Sequence, residues 1–130
     1  MIDDRPATDY GRAMKRSVLV VDDDDDVRDA TRDAMERRGY EVVAVGSGAE
    51  ALAFLNFETP ELVLLDLHMD DMNGWEVLGA LRDNPRLRTT KVVVVTGSNA
   101  QVKPPTLVLR KPFKVADLVA VLEQAPASAT

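Results

Sequence analysis

Short apolar runs alternate along this chain with segments of helical spacing, and this alternation constrains the fold more than any other feature. Two of the runs, at 61–66 and 91–96, are unbroken, which is typical of strands that are covered on both faces. Strands that alternate with helices form a parallel sheet with helices on both faces, because right-handed crossovers place the helices there. The sequence therefore predicts an α/β domain. Its strands are expected at 17–21, 41–45, 61–66, 91–96 and 106–110.

Helical segments lie between these runs. Apolar positions within 27–35 have helical spacing and are followed by Gly39, a residue type that commonly follows the last turn of a helix. Ser47 and Glu50 have the spacing of a capping box, which predicts that a second helix begins there. Two further helices are predicted from the apolar stripes Trp75, Leu78, Leu81 and Val115, Leu118, Val119, Leu122.

The composition limits the class of protein. A chain of 130 residues that is 45% hydrophobic forms one domain, expected at 17–124 between flexible tails at 1–16 and 125–130. The absence of cysteine excludes thiolate metal sites and cysteine nucleophiles. A formal charge of −6 argues against direct binding to nucleic acid, and no apolar stretch suits a membrane span or a signal peptide. The cytoplasm is therefore the expected location.

Polar residues stand where the predicted strands end. Asp22 and Asp23 follow the first strand, Asp66 closes the third, Thr96 closes the fourth and Lys111 follows the fifth. The carboxyl ends of parallel strands share one edge of the sheet, where ligands bind. Three carboxylates and one ammonium at that edge favour a divalent cation. Oxygen ligands in an open site that retains water suit Mg²⁺ best.

Four motifs, in this order, resemble the receiver domain of two-component response regulators. They are VLVVDDDDDVR at 18–28, LVLLDLHMDDMNGWEVL at 62–78, VVVVTGS at 92–98 and LRKPF at 109–113. The resemblance implies a flavodoxin-like, doubly wound sheet of five parallel strands in the order 2-1-3-4-5, with helices on both faces.

The same resemblance implies a function and its residues. Asp66 would accept a phosphoryl group from the phosphohistidine of a sensor histidine kinase or a phosphotransfer protein. Lys111 would pair with the phosphoryl group, and Thr96 would donate its hydroxyl to it. We expect self-phosphorylation and slow autodephosphorylation rather than conventional enzyme turnover, with output through an effector protein and a homodimer left open. The implied Mg²⁺ ligands are Asp22, Asp23, Asp66 and the backbone carbonyl of His68.

The chain also departs from the family pattern. Asp70 stands where proline is usual, and Val108 stands where the family usually has an aromatic switch residue. The interval from Thr96 to Lys111 is shorter than is usual in the family by about two helical turns. The helix that the family has in this interval, between its fourth and fifth strands, is therefore expected to be shortened or absent.

Several alternatives remain open on the sequence alone. The departures are compatible with a pseudo-receiver that binds partners without phosphorylation. Asp22 and Asp24 also have the DxD spacing of haloacid-dehalogenase-type phosphohydrolases, and with Asp26 they have the alternating spacing of a calcium loop. Asp66 could instead cap the amino terminus of a helix.

Overall fold

The predicted strands and helices are present and alternate in the predicted order. The structure is a computed structural model that describes residues 16–67, 69, 74–97, 107–111 and 113–124, of which 122–124 are described by their backbone alone. The elements are β1 (Ser17–Val21), α1 (Asp25–Arg37), β2 (Glu41–Val45), α2 (Gly48–Leu55), β3 (Leu62–Asp66), α3 (Gly74–Asp83), a 3-10 turn (Pro85–Leu87), β4 (Lys91–Thr96), β5 (Leu107–Arg110) and α4 (Val115–Gln124).

The strands of the described chain form one parallel sheet of five strands in the order β2-β1-β3-β4-β5. This order confirms the flavodoxin-like, doubly wound α/β fold. In the register, Val18 of β1 lies opposite Val42 of β2 and Leu62 of β3. β3 lies in the middle of the sheet and all its residues are buried, as its unbroken apolar run predicts. The edge strands β2 and β5 are only partly buried.

Successive strand residues point to opposite faces of the sheet and build two hydrophobic cores. The first, called here the α2/α3 core, includes Leu55 of α2 and Val77 of α3. The second, the α1/α4 core, includes Met35 of α1 and Leu118 of α4. β1 shows the alternation directly. It contributes Leu19 and Val21 to the α2/α3 core and Val18 and Val20 to the α1/α4 core.

Two predicted helix boundaries are confirmed. Gly39 follows the end of α1 with φ of 90°, a left-handed conformation that glycine adopts without the steric cost of a Cβ. At α2 the Ser47 hydroxyl accepts a hydrogen bond from the backbone N–H of Glu50 at 3.1 Å. The Glu50 carboxylate in turn accepts from the N–H of Gly46 at 3.0 Å. The Ser47 hydroxyl thus satisfies a backbone donor in the first turn of α2, and Glu50 binds the residue just before the cap.

Two members of the predicted apolar stripes are not core residues. Val115 is 53% exposed because it is the first residue of α4, at the mouth of a groove between α1 and α4. Trp75 is 38% exposed at the start of α3, while Val77 fills the core instead. The stripes correctly placed Leu78, Leu81 and Leu118 in the interior.

Some predictions fall outside the described residues. These are the tails up to residue 15 and from 125 onward, His68, and the segment 98–106 between β4 and β5, where the family's helix is expected to be shortened or absent. None of the helices in the described ranges combines the length and apolar character that a membrane span needs.

Candidate functional site

Three carboxylates meet at the carboxyl edge of the sheet, as predicted. Asp22 directly follows β1 and Asp66 is the last residue of β3, and these strands are neighbours. Asp22 is 4% exposed and Asp66 is 5% exposed, so both carboxylates are withdrawn from bulk water. One oxygen each from Asp22, Asp23 and Asp66 lie within 4.8 Å of one another. We call this group the carboxylate cluster.

Lys111 provides the positive charge of the site. Its Nζ lies 2.9 Å from Oδ2 of Asp22 and 3.4 Å from Oδ2 of Asp66. The backbone N–H of Lys111 donates to the carbonyl of Thr96 at 2.9 Å, which fixes the start of its side chain beside the end of β4. The sequence therefore predicted correctly that an ammonium from the fifth strand reaches the carboxylates of the first and third.

The protonation of Lys111 follows from these neighbours. Burial is the strongest single influence on its pKa and lowers it, because a desolvated ammonium favours the neutral form. The hydrogen bonds and negative charges of Asp22 and Asp66 together outweigh burial, so the pKa of Lys111 is raised above its usual value. The ammonium is therefore charged throughout the neutral range.

The carboxylates of the acidic run that begins at Asp22 have different hydrogen-bond partners. Oδ1 of Asp22 accepts the backbone N–H of Asp24 at 2.9 Å. The Asp24 side chain in turn caps α1, accepting from the N–H groups of Asp26 at 3.0 Å and Val27 at 3.1 Å. The alternating carboxylates of a calcium loop are not brought together, since Asp24 serves the helix and Asp26 is exposed in its first turn.

Thr96 lies at the same edge. It is the last residue of β4 and is fully buried, and it comes one residue after Val95, the partner of Asp66 in the register. Among the described residues that follow Asp66, Leu67 and Met69 are not helical and α3 begins at Gly74, so the structure gives Asp66 no helix to cap there. The expected contribution of the His68 carbonyl stays a prediction because that residue is outside the described part of the chain.

One residue of the site was missed by the sequence reasoning. Gly74 begins α3 directly against the end of β3, and a Cβ built on it would lie 2.1 Å from the carbonyl oxygen of Asp66 and 2.5 Å from the Cα of Leu67. Its N–H donates to the carbonyl of Leu67 at 2.7 Å. Because the obstructing atoms are backbone, only glycine fits there. The helical spacing that begins near Gly74 predicted α3, but nothing in the sequence indicated this close approach.

The comparison with known proteins agrees with the geometry. The sequence profile described as the response regulator receiver domain matches residues 18–123. The chain belongs to this family. Its membership favours the receiver interpretation over the phosphohydrolase alternative raised by the sequence.

Individual relatives give the same result. The polar-differentiation response regulator DivK of Brucella ovis is 36% identical over 83 residues, which cover 64% of this receiver domain chain and 68% of DivK. An uncharacterised 14.6 kDa protein of Leptolyngbya boryana is 38% identical over 79 residues, 61% of this chain and 60% of that protein. The match thus spans less than two thirds of the latter's length.

Solved structures share the fold. The chemotaxis response regulator CheY4 of Vibrio cholerae superposes with a TM-score of 0.77 at 26% identity, covering 85% of this chain and 98% of that one. A CheY-like receiver domain protein from Methanospirillum hungatei gives a TM-score of 0.74 at 29% identity, with coverage of 85% and 92%.

Proposed function

We propose that this receiver domain, over residues 17–124, is a phosphoacceptor response regulator in which Asp66 takes a phosphoryl group from the phosphohistidine of a sensor histidine kinase or phosphotransfer protein. The observation that carries the proposal is the contact of Lys111 with two nearly buried carboxylates. A buried pair of that kind costs solvation free energy. It is well suited to a site where an ammonium must be ready to meet incoming phosphoryl oxygens.

The proposed transfer is balanced and involves no redox change. A carboxylate oxygen of Asp66 forms a bond to phosphorus while the phosphorus–nitrogen bond of the donor histidine breaks. The imidazole nitrogen keeps the electron pair of the broken bond and takes up a proton from solvent. Lys111, already 3.4 Å from Asp66, stabilises the negative charge of the phosphoryl oxygens. The Thr96 hydroxyl donates to a phosphoryl oxygen after transfer, and later attack by water returns the carboxylate and releases phosphate.

The carboxylate cluster fits a hard divalent cation. All its donors are oxygens, and one ammonium offsets only part of their charge, so the donor chemistry is that of Mg²⁺ rather than zinc or copper. When bound, Mg²⁺ would neutralise phosphoryl oxygens and help align them with the attacking carboxylate. The residues proposed to hold it are Asp22, Asp23, Asp66 and the backbone carbonyl of His68.

Output is proposed to occur through an effector protein. A phosphoryl group adds a charge of about −1.5 to −2 at Asp66, which draws Thr96 and Lys111 toward it and biases the loops after β3 and β4. An aromatic switch at position 108 is not available, because Val108 packs there against the α2/α3 core. Kinase, effector and this domain would meet in the cytoplasm, without nucleic acid or membrane contact by the domain itself.

Intact-mass spectrometry tests the proposal. Wild type, Asp66→Asn and Asp33→Asn are incubated with acetyl phosphate in Mg²⁺ and in chelator. Asp33 is a matched control, because its carboxylate is 62% exposed on α1, where it pairs with Arg37. We expect one phosphoryl adduct in wild type and Asp33→Asn with Mg²⁺, and none in Asp66→Asn. Folded wild type without any adduct would support the pseudo-receiver instead.

A further inference from the structure

Arg28 connects the first turn of α1 to the backbone of the site. Its Nη1 donates to the carbonyl oxygen of Asp22 at 2.9 Å, and its Nη2 lies 2.5 Å from Oδ1 of Asp25. The side chain is 21% exposed, so most of it is enclosed. The hydrogen bond with Asp25 raises the pKa of Arg28, which therefore carries its charge under all ordinary conditions. The pair with Asp25 lies within α1, whereas the hydrogen bond to the Asp22 carbonyl reaches the backbone of the site.

The accepted carbonyl belongs to the peptide group that joins Asp22 to Asp23. A peptide group is planar, so holding the carbonyl oxygen also fixes the orientation of the N–H of Asp23. The other side of the same turn is held by the Asp22 side chain, which accepts the N–H of Asp24 at 2.9 Å. The backbone that presents the Asp23 carboxylate is thus held from both sides, and Arg28 supplies one of the two restraints.

Gly46, which follows β2, leaves the space that the guanidinium occupies. A Cβ built on Gly46 would lie 3.1 Å from Nη1 of Arg28, tighter than most real contacts. The N–H of Asp22 donates to the carbonyl of Val45 at 3.2 Å, so the loops after β1 and β2 are adjacent at this point. The Arg28 guanidinium therefore lies beside Gly46 of the second loop while it donates to the Asp22 carbonyl of the first.

We propose that Arg28 is a positioning residue for the cation site, which it serves by orienting the peptide group between Asp22 and Asp23, and that the small size of Gly46 permits this. The inference rests on the proposed function, since it assumes that Asp23 binds Mg²⁺. Groups that orient metal ligands typically contribute about 10- to 100-fold to metal affinity.

The sign of the effect separates positioning from simple electrostatics. A positive charge beside a cation site repels the cation, so on charge alone the removal of Arg28 would tighten Mg²⁺ binding. If Arg28 positions Asp23, its removal must weaken binding. The two accounts therefore predict opposite changes in the same measured quantity.

Isothermal titration calorimetry with Mg²⁺ is the test, on wild type, Arg28→Ala, Gly46→Ala, the double variant and Arg37→Ala. Arg37 is the matched control, because it pairs with Asp33 on the same helix at 3.0 Å and both side chains are exposed. We expect Arg28→Ala to bind about tenfold more weakly and Arg37→Ala to bind as wild type does. Gly46→Ala should bind more weakly while retaining the arginine, and the double variant should be no weaker than Arg28→Ala.

A second readout needs no cation. In Mg²⁺-free protein, hydrogen exchange at the amides of Asp23 and Asp24 should be faster in Arg28→Ala than in Arg37→Ala. Equal or tighter Mg²⁺ binding by folded Arg28→Ala would overturn the inference, and so would additive losses in the double variant. Should Arg28→Ala fail to fold, unchanged affinity in Gly46→Ala would overturn it as well. Wild type that binds no Mg²⁺ would instead refute the cation site of the proposed function, and this inference with it.

Discussion

Replacing Lys111 with methionine should make this receiver domain bind Mg²⁺ more tightly. The Lys111 ammonium lies 2.9 Å from Asp22 and 3.4 Å from Asp66, so it competes with a cation for the same carboxylates. A hydrogen bond between charged groups contributes about 1.5 to 3 kcal/mol. Lys111 is 24% exposed and regains water when displaced, so the lower end of that range applies. A gain of about 1.4 kcal/mol corresponds to about tenfold in affinity.

Calorimetric titration with Mg²⁺ at pH 7 and low ionic strength measures this gain. Lys91→Met is a close control, because Lys91 is 20% exposed and pairs with Glu61 at 4.0 Å beyond the opposite end of β3. We expect its affinity to equal that of wild type. Lys111→Met should meanwhile accept less phosphoryl group from acetyl phosphate, since methionine cannot stabilise the phosphoryl charge. Weaker Mg²⁺ binding by folded Lys111→Met would show that the lysine orients the carboxylates rather than competing for them.

Three further predictions concern stability and pH. Gly74→Ala should lower the free energy of unfolding by about 3 kcal/mol in urea titration and reduce phosphorylation of Asp66, because its Cβ collides with backbone. Ser47→Ala should lower the free energy of unfolding by about 1 kcal/mol in the same titration, because the α2 cap is lost, and should leave the Mg²⁺ affinity unchanged. The pKa of Lys111 is raised in the folded protein, so the stabilisation from its ion pairs is complete below the unfolded pKa of about 10.4 and is lost as pH rises through the folded pKa. The difference in stability between wild type and Lys111→Met should therefore be constant near neutrality and shrink in strong alkali. Thermal melting across this pH range measures it.

Much of the fold could be predicted because its signals are local. The bounds of β1, β2 and β4 match the apolar runs, and Gly39 and Ser47 mark helix boundaries by their own backbone and side-chain preferences. The stripe that includes Val115 predicted the last helix correctly, but its spacing alone could not show that Val115 is exposed at the helix start.

The candidate site could be predicted in part. Parallel strands bring their carboxyl ends together, so Asp22, Asp66 and Lys111 were expected to meet, and they do. Gly74 and the Arg28 contact could not be predicted, because each depends on how closely a helix and a loop approach in three dimensions. Apolar spacing records which side of an element faces inward, and it carries no information about such distances.

The two hydrophobic cores give this domain a way to diverge. They share the backbone of the strands, yet their side chains come from alternate positions and from different helices. A lineage can therefore accumulate substitutions in α4 and the core beneath it, which alters the surface offered to a new partner while Arg28 of α1 keeps its contact with the Asp22 carbonyl. Throughout such change, the α2/α3 core keeps the strands in register and the carboxylates of Asp22 and Asp66 side by side. A new partner surface can thus arise while the residues at the carboxyl edge of the sheet keep their arrangement.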